Sequence, residues 1–179
     1  MPHGRETPDY GPPWPSTDEY AMRLDPALTE WALSSAGALE DSACVRAARA
    51  NYTELAARRP PAVRYGDSAS GEIYWSGRRA TEWARNATRY WTAGQGVFGA
   101  TQNEDYAFAT AHAALGRAGR VNATRLVVLR GASDYTHEPA GANFSQWFFG
   151  SLKCADDAFA SLLAAGRPLL EDVLAGRAP

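Results

Sequence analysis

The stretch from Gly96 to Leu129 constrains the fold more than any other part of the chain. Gly96-Val97-Phe98-Gly99-Ala100-Thr101 is short, small and apolar, and predicts a strand. A helix is expected from about Glu104 to Arg117, ending at Gly119, the residue type that accepts the left-handed C′ position. Asn122 to Arg125 then turns the chain. Leu126-Val127-Val128-Leu129 is a continuous apolar run, as expected of a central strand covered on both faces. Strand, helix and strand at this spacing predict a βαβ unit with parallel strands and a right-handed crossover. The class is therefore α/β, with ligands expected beyond the C-terminal ends of the strands.

The flanking segments fit that class. Residues 1–25 read as an irregular lead-in, since Gly11-Pro12-Pro13-Trp14-Pro15 forbids a helix. Residues 26–179 then form the domain. Asp25-Pro26 opens a helix, with Asp25 as N-cap and Leu28, Trp31, Ala32 and Ser35 on one face. A second helix is expected from roughly Ser42 to Leu55, stopping before Pro60-Pro61. Ala62-Val63-Arg64-Tyr65 predicts a short strand, which Glu72-Ile73-Tyr74-Trp75 extends beyond the small, polar stretch Gly66 to Gly71. From about Gly77 to Thr92 the pattern is an amphipathic helix. Its expected apolar face is Ala80, Trp83, Ala87, Tyr90 and Trp91. Gly166 and Pro168 divide the C-terminal end into two helical segments, Asp156–Ala165 and Pro168–Leu174.

Composition excludes some partners and bears on the compartment. The 179 residues are 45% apolar and 21% charged, with a formal net charge of −2. No basic stripe suggests nucleic acid as a partner, and no apolar run reaches the ~20 residues of a membrane helix. Met1 to Thr17 lacks the apolar segment of a signal peptide. Yet four of the five asparagines open an N-x-S/T sequon: Asn51, Asn86, Asn122 and Asn143. Ser and Thr number 22 of 179, so chance gives roughly 0.6 sequons among five asparagines. Glycosylation in the secretory pathway, extracellular or at the cell surface, is the expectation, with the true N-terminus missing from the chain. Cys44 and Cys154 are compatible with one disulfide or with two buried thiols. His3, His112 and His137 lack metal-ligand spacing, and no metal or cofactor is expected.

Two acidic groups fall at favoured mouths. Thr101-Gln102-Asn103-Glu104-Asp105 lies where the second strand becomes a helix, and Ser133-Asp134-Tyr135 lies just past the third. Such carboxylates can simply stabilise a helix N-terminus, by about 0.3–1 kcal/mol. They also belong to a wider pattern: Gly66-Asp67 through Tyr74-Trp75, Asn103-Glu104-Asp105, and Leu129-Arg130-Gly131-Ala132-Ser133-Asp134-Tyr135-Thr136. In this order and spacing they resemble the fungal and bacterial purine nucleoside permease family. More distantly, they resemble the C-terminal part of the purine nucleoside phosphorylase and nucleosidase superfamily.

The resemblance implies a partial nucleoside phosphorylase-like three-layer fold, with mainly parallel central strands flanked by helices. It implies purine nucleoside binding linked to uptake, with N-glycosidic cleavage by a nucleosidase or phosphorylase as the alternative. By position, Tyr74 would stack on the base or serve as a core or interface aromatic. Glu104 would accept from the ribose 2′- and 3′-hydroxyls, a task suited to two carboxylate oxygens. Asp134 would act as acid toward purine N7, oriented by Ser133. Asn103 stands where catalytic relatives carry Met beneath the sugar, and Gln102 is a further departure. The superfamily's Gly-rich phosphate loop belongs to an N-terminal half with no match here. Phosphate would reach the site only through that half; Gly94-Gln95-Gly96 is a turn. A homo-oligomer is compatible with the resemblance.

Overall fold

The computed structural model describes residues 20–72 and 74–179; residues 1–19 of the expected lead-in, its prolines included, and Ile73 lie outside them. Helix α1 spans Pro26–Ser35, and the Asp25 carboxylate accepts from the Leu28 amide at 2.9 Å, the N-cap its sequence announces. Helix α2 is Ala43–Arg49, with the Ser42 hydroxyl accepting from the Val45 amide. It ends six residues before the expected Leu55, and the chain turns over 50–59. Strand β1 (Asp67–Ser70), helix α3 (Arg78–Trp91) and strand β2 (Phe98–Gln102) follow. Helix α4 (Asp105–Arg117), helix α5 (Phe144–Gly150), a 3-10 turn (Ser151–Cys154) and helix α6 (Ala155–Leu174) complete the order.

The described sheet has two strands, β1 and β2, paired in parallel. The fold is thus α/β with a βαβ unit, but one unit earlier than expected: α3 is the crossover. Leu126–Leu129 does not join as a third strand. The run is half-buried, and a Cβ placed on Gly166 of α6 would lie 3.3 Å from Leu129 Cδ2. An apolar run reports burial, not pairing; this one is half-buried, with its Leu129 end against a helix.

The first strand is displaced too. Ala62–Tyr65 is not a strand, and neither Glu72, Tyr74 nor Trp75 belongs to one; the ladder forms on the polar residues between the two stretches. Close approach explains the choice. A Cβ on Gly66 would lie 3.0 Å from Gly99 Cα, so glycine on both sides lets the backbones meet there. The Asp67 amide donates to the Val97 carbonyl at 2.7 Å and the Gly71 amide to Gln102 at 3.1 Å, flanking the ladder.

Helix α3 buries Thr81, Ala84 and Thr88, not the expected tryptophan stripe. Small residues admit close packing near the strands, and the two hydroxyls are satisfied by the carbonyls of Gly77 and Ala84 one turn back. Trp83 stays 39% exposed and stacks on Trp75, ring centroids 4.8 Å apart. Helix α4 closes as expected: Gly119 takes φ +67°, while the Gly119 and Arg120 amides donate to Gly116 and Leu115, a Schellman arrangement.

Helix α6 runs unbroken through Gly166 and Pro168, where two segments were expected. Proline removes an amide and crowds the carbonyl of Ala164, one turn back. The Gly37 amide comes in at that point and donates to the Ala165 carbonyl at 3.1 Å. A Cβ on Gly37 would sit 2.2 Å from Ala164 O, so only glycine fits.

The core is thin. Its buried apolar residues are Leu28, Ala32, Tyr52, Ala84, Ala109, Ala165 and Leu169, and no large described side chain is fully buried. Cys44 and Cys154 form a disulfide with Cα atoms 5.8 Å apart, joining α2 to the start of α6. Ser42 reinforces that junction by donating to Asp157 at 2.6 Å. The bridge spans 110 positions of sequence, and closing so long a loop removes much unfolded-chain entropy. Reduction, or Cys44→Ser with Cys154→Ser, is expected to lower the unfolding free energy by about 2–4 kcal/mol. Urea titrations with and without reductant measure this; superimposable midpoints would contradict it.

Candidate functional site

Parallel pairing brings the C-terminal ends of β1 and β2 to one mouth, and a polar cluster fills it. Ser68 and Ser70 come from β1 and Gln102 from the last position of β2. The Gln102 amide nitrogen donates to the Ser68 hydroxyl at 2.8 Å and also to Ser70. Its carbonyl oxygen accepts from the Asp105 amide at 2.7 Å and from the Glu104 amide. Ser70 accepts from the Tyr106 amide at 3.0 Å. The first amides of α4 are therefore capped by Gln102 and Ser70.

That division of labour bears on the acidic residues. Glu104 occupies the N-cap position of α4 without a capping side-chain bond. Its carboxylate instead accepts from Arg130 at 2.7 Å. Asp105 accepts from Arg130 Nε at 2.7 Å and from the Ser68 hydroxyl at 2.6 Å. Bonding to Asp105, then to Glu104, holds the Arg130 guanidinium above its ordinary pKa. Glu104 is thus exposed but already paired, and Asn103 beside it is exposed.

The second group of expected residues assembles four positions beyond Arg130. The Ser133 hydroxyl donates to Asp134 at 3.2 Å, and the Tyr74 hydroxyl reaches the other Asp134 oxygen at 3.5 Å. The Tyr74 ring is 57% exposed and stands edge-on to Phe148 at 5.5 Å. Partial burial first, then the Asp134 carboxylate, raises the Tyr74 hydroxyl above the usual tyrosine range, so it stays a donor at neutral pH.

The Asp134 loop is pinned from several sides. The Gly77 amide and the Thr81 hydroxyl both donate to the Thr136 carbonyl, at 2.9 and 3.2 Å. Tyr135 donates to the Ala57 carbonyl at 2.8 Å. Tyr52 donates to the His137 carbonyl at 2.7 Å and accepts from the Trp147 indole at 3.2 Å. Burial pushes the Tyr52 hydroxyl up to about 12, which keeps that tie neutral. Arg78 donates to the Glu138 carbonyl at 2.9 Å. An acid placed on an otherwise irregular loop is held here by side chains from two other segments, Tyr52 and the first turn of α3, and by the loop's own Tyr135.

The profile of the family described as purine nucleoside permease (NUP) matches residues 1–178 of the chain. The chain belongs to the purine nucleoside permease family. It is 34% identical over 142 residues to a probable purine nucleoside permease of Schizosaccharomyces pombe, covering 76% of this chain and 39% of that protein. It is 28% identical over 124 residues to the purine nucleoside permease of Candida albicans, covering 69% of this chain and 30% of that one. The chain therefore spans between 30% and 39% of the length of these curated relatives. No solved structure matches. Among the described residues of this permease-family chain, no helix is long and apolar enough to cross a membrane.

Sequence reasoning picked Glu104, Asp134, Ser133 and Tyr74 but missed Arg130, Asp105 and the pairing role of Gln102. The one trace of Arg130 in the sequence is its place directly after the apolar run and three residues before Ser133. Arg130→Gln is expected to destabilise the chain by about 1–2 kcal/mol, because Asp105 is nearly buried and loses a charged hydrogen bond. Thermal denaturation measures it, with hydrogen exchange locating the loosening at the first turn of α4. Unchanged protection of the Glu104 to Phe108 amides would contradict the assignment.

Proposed function

We propose that this chain supplies a purine-nucleoside-binding face to a protein that serves nucleoside uptake. The observation that carries the reading is the bracketing of Asp134 by the Ser133 and Tyr74 hydroxyls beside an exposed aromatic ring. A base laid against Tyr74 would meet a carboxyl group at its edge. Asp134 in its protonated form would then donate to purine N7, an acceptor, and Ser133 would orient the carboxyl group. Glu104, with Asn103 beside it, would receive the ribose. Arg130 would hold the Glu104 carboxylate in place, leaving further lone pairs for the vicinal hydroxyls. The names of the relatives from Schizosaccharomyces pombe and Candida albicans support a purine nucleoside as the ligand. The reading extends to a nucleoside phosphorylase-like layering in the longer proteins, where other segments would extend the sheet and close the pocket.

Binding and cleavage separate by experiment. Calorimetry with inosine and adenosine is expected to show weak binding by the chain alone, since pockets normally enclose most of their ligand. Glu104→Ala should weaken it about tenfold, the worth of a charged hydrogen bond. Asp134→Asn keeps the shape and should leave affinity unchanged. Any base release detected in parallel should fall about 10²–10⁴-fold in Asp134→Asn, because a proton given to N7 matters as the base departs. Binding indifferent to Glu104→Ala would overturn the ribose assignment, and base release indifferent to Asp134→Asn would overturn the acid.

A further inference from the structure

The four sequon asparagines lie in four different parts of the chain, and all are exposed. Asn51 follows α2, and Asn86 sits on the solvated side of α3 between exposed Arg85 and the half-buried Ala87. Asn122 lies in the turn after α4, and Asn143 immediately precedes α5. Exposure alone is ordinary for asparagine. Two further observations separate these residues from ordinary surface amides.

The first is the Cys44–Cys154 disulfide, which closes across 110 positions of sequence. Such bonds form and persist in oxidising compartments, and the lumen of the endoplasmic reticulum is one of them. The sequons and the bridge point independently to the same place.

The second is the geometry at Asn122. Its carboxamide oxygen accepts from the Thr124 amide at 3.1 Å and from the Thr124 hydroxyl at 2.8 Å. Both donors belong to the sequon's own third residue, so this is a local Asx turn that needs no tertiary structure and can form in a nascent chain. Two bonds to the oxygen draw electron density toward it, on a residue that is itself exposed. By contrast, the Asn51 amide nitrogen donates to the carbonyls of Ala47 and Ala48 at 3.1 and 3.2 Å, and the Asn143 oxygen is engaged as a cap by the Gln146 amide.

We propose that this chain passes through an oxidising secretory compartment and is N-glycosylated there, with Asn122 an occupied acceptor. The donor class is an oligosaccharide linked through its anomeric carbon to a lipid pyrophosphate. Asn122 Nδ2 forms the bond to that carbon while the carbon–oxygen bond to pyrophosphate breaks. The electron pair leaves with the lipid pyrophosphate, and one Nδ2 proton passes to a base of the transferring enzyme. Oxidation states do not change. The turn carrying Asn122 also contributes Ala123 and Thr124 to a cleft of about 280 Å³ shared with Met22, His112 and Leu126. A glycan at Asn122 would stand at the rim of that cleft.

The test is translation of the chain behind a cleavable secretory leader in the presence of endoplasmic-reticulum microsomes. Protease-protected product is then treated with an amidase for N-linked glycans. Protected wild type should run slower until amidase treatment. Asn122→Gln and Thr124→Ala should each lose the same single step, and Thr124→Ser should keep it. Acceptance in microsomes does not require a stable fold, so a destabilised variant still reports. Protected wild type with no shift would overturn the proposal, as would Asn122→Gln or Thr124→Ala migrating with wild type.

Discussion

The parallel pairing of β1 with β2 is the constraint on which the mouth depends. In an antiparallel pair Ser70 and Gln102 would sit at opposite ends of the sheet. In the parallel pair they stand side by side as the last rung of the ladder, and α4 starts from the same edge. The ladder is only four pairs long. It is held at its entry by Gly66 against Gly99 and by the Asp67 carboxylate, which accepts from the Val97 amide. At its exit Gln102 serves both strand and helix, linking two serines of β1 to the first amides of α4. That arrangement relieves the acidic residues of capping. Glu104 and Asp105 can then face Arg130, and the segment carrying Arg130 leads into the loop of Ser133 and Asp134.

Much of the helical structure was legible because its signals are local. Asp25 before Pro26, Ser42 before α2 and Gly119 after α4 each act within one turn, so their neighbours in sequence decide them. The strands were harder because pairing is settled by partners far along the chain. Leu126–Leu129 has the hydrophobicity of a central strand yet stays unpaired and half-buried, its Leu129 end against α6, while the polar Asp67–Ser70 pairs because glycine clears its path. Pro168 misled for the same reason. Gly37, 131 positions earlier in the chain, packs on α6 at the crowded turn, where its amide donates to the Ala165 carbonyl next to the Ala164 carbonyl that proline leaves without its helical donor.

Of the candidate site, the sequence names the acids but not their environment. Motif order singled out Glu104 and Asp134, but no pattern reveals that Arg130 bridges Glu104 to Asp105, or that Tyr74 reaches Asp134 across 60 positions of sequence. Those contacts change what the acids can do. Glu104 is a carboxylate fixed by a cation, a suitable acceptor for neighbouring hydroxyls. Asp134 is a carboxyl group held by two hydroxyls on a loop that Tyr52, Thr81, Arg78 and Tyr135 keep in place. The cysteines illustrate the same boundary: their types permitted a bridge, and only the packing of α2 against the start of α6 brings them together.

The central claim is that the mouth formed by β1, β2 and the Asp134 loop is the nucleoside-binding face of this chain. Amide chemical-shift mapping on isotope-labelled protein titrated with inosine tests it directly, since it detects weak binding and assigns it to residues. The account predicts shifts concentrated at Ser68 to Tyr74, Gln102 to Asp105 and Arg130 to Thr136. Shifts confined to the cleft around Met22, His112 and Leu126, or no shifts at saturating inosine, would contradict it.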